Sequence, residues 1–331
     1  MTNGIWISWE TQRRNRGLAG ALGWPLYEID IAASPLRRYA VSILKTISII
    51  AKEKPKAIVV QNPSIVLAIL AAIAKLFFGY VFIMDAHNGG IKPREGTSKI
   101  LMLIANRLQK AADITIVTNP ALKAQVDSHG GHGICLPDVL PAAPAVPPKR
   151  LEGAFSIAFI CTFSNDEPYK EVILAARLVP RDFIIYITGK HNEKVIADEI
   201  PPNVRLLGFV PERSFWELLG SADAIMDLTT REDCLVCGAY EGVALGKPLI
   251  LSNTRALRSY FNKGAMYVDP IAESIARGIT SAAENHAGLL KDIQELKATI
   301  TKDWQAHFLG FQQAIQKAIA GHPKKQPQEK R

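Results

Sequence analysis

The run Arg231-Glu232-Asp233-Cys234-Leu235-Val236-Cys237-Gly238-Ala239-Tyr240-Glu241 sets an acidic pair ahead of a small-residue turn, then puts a second carboxylate on the helix that the turn opens. A Gly246-Lys247-Pro248 break and an apolar strand to Ser252 follow. A helix N-terminus presents backbone N–H groups without intrahelical partners, together with the positive end of the helix dipole, and both favour a diphosphate. A carboxylate one to two turns inside that helix, here Glu241, is placed to accept from ribose hydroxyls. The order suits a sugar nucleotide. The plain alternative is a doubly wound domain that happens to carry a Gly-Ala-opened helix.

A second group of polar residues falls in the first half. Glu10-Thr11-Gln12-Arg13-Arg14-Asn15-Arg16-Gly17 follows the first expected strand, at the carboxyl edge where open parallel sheets place ligands. Arg13, Arg14 and Arg16 together could grip a phosphate bidentately, which points to a polyprenyl-diphosphate-linked or otherwise anionic acceptor; a solvated basic loop is the bland reading. Gln61-Asn62-Pro63 and Asp85-Ala86-His87-Asn88-Gly89-Gly90 put Asn62, Asp85, His87 and Asn88 at the same edge. There His87 could orient an acceptor or meet developing charge, with Asp85 to polarise it or act as base. Cys234 and Cys237 have C-x-x-C spacing, but no second pair exists to complete a zinc site, and the chain position is wrong for a thioredoxin-like motif. No Asp-x-Asp pair stands ready for a divalent cation, so neither a metal nor a cofactor is expected.

The chain resembles the GT-B glycosyltransferases, in particular the class marked by two acidic residues with seven between, here Asp233 and Glu241. The resemblance implies ribose binding by Glu241 and contact of Asp233, or its neighbour Glu232, with the transferred sugar. It departs in offering Asp at the first position. It further implies donor contacts from Thr162, Phe163 and Ser164 after the second domain's first strand and from Lys190 on the pyrophosphate. Phe209 would meet the base, Thr229 and Thr230 the diphosphate or sugar, and Gly238 and Ala239 the helix N-terminus. The Gln61-Asn62-Pro63 turn with Asp85-x-His87-Asn88 is similar to the β-1,4-mannosyltransferase of N-glycan precursor assembly and its bacterial relatives. The implied architecture is α/β, two Rossmann-like domains facing across a cleft, with Glu241 a cleft-surface carboxylate apart from the core.

The elements needed to hold these residues are legible. At 331 residues, 48% hydrophobic and 21% charged, the chain is long enough for two cores. Short apolar runs alternate with helical patterns, as a parallel sheet with crossover helices requires. Pro137, Pro141, Pro144, Pro147 and Pro148 forbid helix and mark a connector. The expected division is an acceptor domain over 1–140, a linker over 141–150 and a nucleotide-sugar domain over 151–302. A helix over 303–320 would cross back to the first domain, and 321–331 would be a disordered basic tail. The apolar stretch Ile65 to Met84 is read as a buried helix, a turn at Gly79 and a buried strand rather than a membrane span.

The net charge of +8 points to anionic partners. Nucleic acid is not among them, because the basic residues are not interleaved with aromatics. The chain opens without a secretory pattern, so reduced thiols and a cytoplasmic location are expected. The leading expectation is metal-independent transfer of a hexose from a UDP- or GDP-sugar to a lipid-linked or glycan acceptor, with peripheral contact to an anionic membrane. A noncatalytic nucleotide-sugar binder and a nucleotide-sugar epimerase of the same architecture are the alternatives.

Overall fold

The computed structural model describes residues 3–62, 64–191 and 200–322. The chain divides into two compact units: one joins the segment up to Val139 to the segment from Asp303 onward, and the other runs Leu140–Lys302. In the first unit the described strands are β1 (Gly4–Ser8), β2 (Leu26–Glu28), β3 (Ala57–Asn62), β4 (Val81–Ala86), β5 (Ile114–Val117) and β6 (Gly133–Cys135). The helices α1 (Arg13–Leu22), α2 (Pro35–Glu53), α3 (Ile65–Phe78), α4 (Asn88–Ile91), α5 (Lys99–Ala111) and α6 (Pro120–Ser128) connect them. These strands form a six-stranded parallel sheet in the order β2-β1-β3-β4-β5-β6. Its central strands open on apolar runs, Ala57–Val60 and Val81–Met84, because helices cover both faces, and every residue of β3 and β4 is buried, the polar ends Gln61, Asn62 and Asp85 included.

The second unit holds β7 (Phe155–Phe159), β8 (Phe183–Thr188), β9 (Val204–Gly208), β10 (Ala224–Asp227), β11 (Leu249–Ser252) and β12 (Ala265–Val268). With them stand α7 (Tyr169–Ala175), α8 (Glu212–Ser221), α9 (Cys237–Leu245), α10 (Arg255–Tyr260), α11 (Ala272–Glu284) and the part of α12 (His286–Gly321) up to Lys302, the rest of α12 belonging to the first unit. The sheet is again parallel and six-stranded, ordered β12-β11-β10-β7-β8-β9. Counted within its own unit this is the doubly wound order of dinucleotide-binding domains.

The Ile65 to Met84 stretch breaks at Gly79, a left-handed helix end at φ 67°, into α3 and β4. No described helix is long and apolar enough to cross a membrane. The proline-rich segment forms no helix or strand. The final helix differs from expectation: it starts at His286 and runs unbroken for 36 residues. Its first half packs Leu289, Ile293, Leu296 and Ile300 into the second unit's cores, and its second half packs Phe311 and Ile315 beside Trp6 and Leu18 of the first. The helical pattern that the sequence carries over 193–200 falls almost wholly outside the described residues, as do Pro63 and the basic tail beyond His322.

Candidate functional site

Chain order in the second sheet reverses between β7 and β10. In open parallel sheets, ligands bind outside the carboxyl ends of the strands at such a reversal. Two loops leave this point, 160–168 and 228–236, and both carry residues singled out from the sequence.

After β7 the chain winds around the Glu167 carboxylate. The backbone N–H groups of Thr162 and Ser164 donate to Glu167 Oε2 at 2.8 and 3.0 Å, and Thr162 Oγ1 donates to Oε1 at 2.9 Å. Between them Phe163 sits in the left-handed region at φ 59°, a conformation costly for a residue with a Cβ and held here by those bonds. Asp166 ties this loop to the next one: it accepts from Ser164 Oγ at 2.7 Å and Thr229 Oγ1 at 2.9 Å, and Arg231 lies 3.4 Å away. Burial works against the Asp166 charge, but the hydroxyls and Arg231 outweigh it and hold the carboxyl below its usual pKa. Thr230 N–H donates to the Asp166 carbonyl at 2.7 Å.

The end of β8 passes close to the same loop. A Cβ on Gly189 would stand 2.0 Å from the Cys161 carbonyl oxygen, so only glycine, at φ 104°, fits. Lys190 follows, exposed, with Nζ 5.8 Å from the ring centroid of exposed Phe209.

The N-terminus of α9 departs from the sequence expectation. Gly238 N–H donates to Asp227 Oδ2 at 2.7 Å, so the amide expected to face a diphosphate is taken by a carboxylate of the chain itself. A Cβ there would stand 2.5 Å from Ile160 and 2.6 Å from that oxygen. Ala239 is buried beside it. Burial drives the Asp227 carboxyl well above its ordinary pKa, and Glu167, Glu241 and Asp166 push the same way against the Gly238 bond. Glu241 is not the surface carboxylate expected; it is only 5% exposed, near Asp227. Glu232 and Asp233 turn toward α10, where Arg255 N–H donates to Glu232 Oε1 at 2.6 Å and Arg255 Nη2 to Asp233 Oδ1 at 3.3 Å.

In the first unit, Arg14 corrects the picture of an open arginine triplet. It is buried; Nε donates to both Asp85 oxygens at 3.0 Å, Nη2 donates to Asp85 Oδ1 at 2.8 Å and to the Leu136 carbonyl at 3.0 Å, and Nη1 reaches Asp138. Burial disfavours the charge, yet Asp85 and Asp138 outweigh it and raise the guanidinium pKa above its ordinary value. Asp85, fully buried, is therefore the partner of Arg14; His87 Nε2 lies 3.9 Å from its Oδ2, beyond hydrogen-bond reach. His87 Nε2 is buried with no hydrogen-bond partner among the described residues. Arg16, exposed, pairs with Glu28 at 2.9 Å, and Arg13 is exposed. Asn62 is fully buried, with Nδ2 3.5 Å from the Gly90 carbonyl, whereas Asn88 in the first turn of α4 is half-buried. Among the described residues no set of three or more His, Cys, Asp and Glu side chains is arranged to hold a metal ion.

No protein-family model and no curated protein sequence matches this chain. Solved structures do. Sucrose-phosphate synthase from Thermosynechococcus elongatus superposes with a TM-score of 0.76 at 13% identity, over 96% of this chain and 99% of the other. The Anabaena protein HepE in complex with UDP and glucose gives 0.73 at 13% identity, over 95% and 100%. A putative UDP-N-acetylglucosamine 2-epimerase from Listeria monocytogenes gives 0.64 at 12% identity, over 94% and 98%. The chain has the GT-B fold.

Within this GT-B fold the second unit brings Thr162, Ser164, Thr229, Gly238 and Glu241 to one sheet edge, around carboxylates that the sequence did not single out. Asp166 and Glu167 lie just before Pro168 and α7, where acidic residues are common as helix-start signals. Asp227 ends an apolar strand, and only its position beside Gly238 gives it a role.

Proposed function

We propose that this chain is a metal-independent glycosyltransferase that moves a hexose from a UDP- or GDP-linked donor to a lipid-linked or glycan acceptor at the cytoplasmic face of a membrane. The observation that carries the reading is the second unit's switch-point edge, where the Thr162–Ser164 turn, Thr229 and the buried Glu241 stand together. HepE, which shares the fold, has been solved with UDP and with UDP-glucose. Glu241 would take the ribose and Phe209 the base, and the diphosphate would meet the Thr162–Ser164 turn and Thr229 by replacing Glu167 and Asp166 as the acceptors of their donors. Lys190 and Arg231 would offset the leaving-group charge now that the Gly238 amide is taken. His87, with its unpartnered nitrogen, would meet the acceptor.

Calorimetric titration with UDP and GDP, without and then with magnesium, tests this. One of the two should bind without metal, and Glu241→Ala should weaken it by about tenfold or more, the scale of a lost charge-assisted hydrogen bond, while circular dichroism shows an unchanged fold. Absence of binding to both nucleotides overturns the reading. The likeness to the Listeria protein keeps an epimerase as a second reading. A UDP-sugar converted to its epimer by the protein alone would favour it.

The membrane part of the proposal is supported by the outer face of the first unit. Ile73, Leu76 and Phe78 of α3 and Ile100 and Leu103 of α5 are exposed by 41 to 74%. α2, α3 and α5 together carry eight Lys and Arg against one Glu. An apolar patch collared by cations fits an anionic bilayer. Leu76→Asp with Ile100→Asp should abolish sedimentation with phosphatidylglycerol vesicles and leave UDP binding intact; equal sedimentation of variant and parent would remove this part.

A further inference from the structure

The first sheet reverses its chain order between β1 and β3. At that point a cavity of about 280 Å³ opens, lined by Trp9, Glu10, Arg38, Tyr39, Ser42 and Ser64, together with the first turn of α3. None of the acceptor residues expected from the sequence lines it. We infer that this cavity is a binding subsite for one pyranose ring of the acceptor. The inference rests on the glycosyltransferase reading, and its residues are separate from the donor edge.

The lining has the chemistry of a neutral polyhydroxyl ring. Trp9 and Tyr39 supply aromatic surface, their ring centroids 6.1 Å apart and tilted by 54°. Such faces pack against the C–H side of a sugar while leaving its hydroxyls to polar neighbours. Both rings are held in place: Trp9 Nε1 donates to Thr46 Oγ1 at 3.0 Å, and the Arg38 guanidinium carbon lies 5.1 Å from the Tyr39 centroid. The Glu10 carboxylate is steadied by Gln12 Nε2 at 3.1 Å and Gln61 Nε2 at 3.4 Å, both on Oε2. An ionised carboxylate has about four acceptor sites, so capacity is left for ligand hydroxyls.

Ser42 points to the same occupant. Its Oγ is buried, the residue is 1% exposed, and it has no hydrogen-bond partner among the described residues. A buried hydroxyl without a partner is disfavoured, and a ligand hydroxyl in the cavity removes that cost. Arg38 donates, Glu10 accepts and Ser42 does both, which matches sugar hydroxyls that also do both. A phosphate would find Arg38 and the α3 N-terminus favourable but would face the Glu10 carboxylate in the same wall.

The test is saturation-transfer NMR on the full chain with the methyl glycosides of glucose, galactose, mannose and N-acetylglucosamine, beside UDP and GDP titrations of each sample. At least one glycoside should show transfer, and Tyr39→Leu and Glu10→Gln should each cut it by about fivefold or more, as for central contact residues, with the affinity for the bound nucleotide unchanged. Failure of all four to bind the parent, or equal signals in both variants, overturns the subsite. Binding of inorganic phosphate that Arg38→Ala abolishes, with no glycoside signal, also overturns it. Binding of UDP or GDP without glycoside binding sinks the subsite and leaves the transferase reading standing; glycoside binding with neither nucleotide bound leaves a sugar site but sinks the transferase reading and the acceptor role with it.

Discussion

The two sheets have the same number of strands, all parallel, and each reverses its chain order once. They settle the charges near that edge in opposite ways. In the first unit a buried guanidinium, Arg14, lies between Asp85 and Asp138, so charge meets charge. In the second, Asp166, Glu167, Asp227 and Glu241 stand near one another, and the first three are held largely by backbone amides and hydroxyls, with Arg231 at the margin. An ion pair out of water resists rearrangement, because separating it strands a charge. Amides and hydroxyls are neutral donors, so passing them from a carboxylate to a ligand's oxygens parts no ion pair and leaves the displaced carboxylate to take up a proton or a ligand hydroxyl. The first arrangement is framework, and the second is suited to exchange partners.

The largest effect is expected where the ion pair is cut. Arg14→Met leaves Asp85 buried without its cation and should cost about 3–5 kcal/mol in urea unfolding; a loss below about 1 kcal/mol, the scale of a surface pair, would erase the contrast. Next, Glu167→Gln weakens the acceptor for the Thr162 and Ser164 amides and should cost about 1–2 kcal/mol by the same measurement. A loss as great as that of Arg14→Met would make the second edge framework as well. The smallest effect concerns pH. The Asp227 carboxyl has a pKa raised above 3.8 in the folded chain, so the folded form holds the proton more tightly than the unfolded one. Its contribution to stability is therefore present at low pH and is lost as pH rises from about 4 through the raised value. Asp227→Asn, whose amide oxygen can still accept from Gly238, should flatten that decline in melting temperature across pH; an unchanged slope would place the titrating group elsewhere.

Backbone pattern was more legible than partnership. The β-branched run Ile114–Val117 and the Asn119-Pro120 start of Pro120–Ser128 are local signals, and the strand and the helix that they spell stand at those residues. β6, three residues containing Gly133, has no pattern long enough to register. The helix carrying Glu241 was legible to within a residue, but its burial was not, because that depends on Asp227 and the β7 loop arriving from elsewhere in the chain. Arg14 shows the same limit: residue type suggests a phosphate clamp, whereas its partner lies 71 positions away. Glu167 reads as a helix-start acid, and only the folded turn makes it the centre of a loop.

The unbroken α12 has a consequence for how the protein is made. Phe311 and Ile315 complete the core that contains Trp6 and Leu18, yet they leave the ribosome after all of Leu140–Lys302. The opening half of the chain must therefore wait, its sheet assembled but one face unfinished, while the segment that follows it can already close most of its own core. During that interval the uncovered apolar face is the part of the nascent chain most exposed to aggregation and to chaperones. A ribosome stalled just before Phe311 would hold every strand of both sheets and still display an open first core.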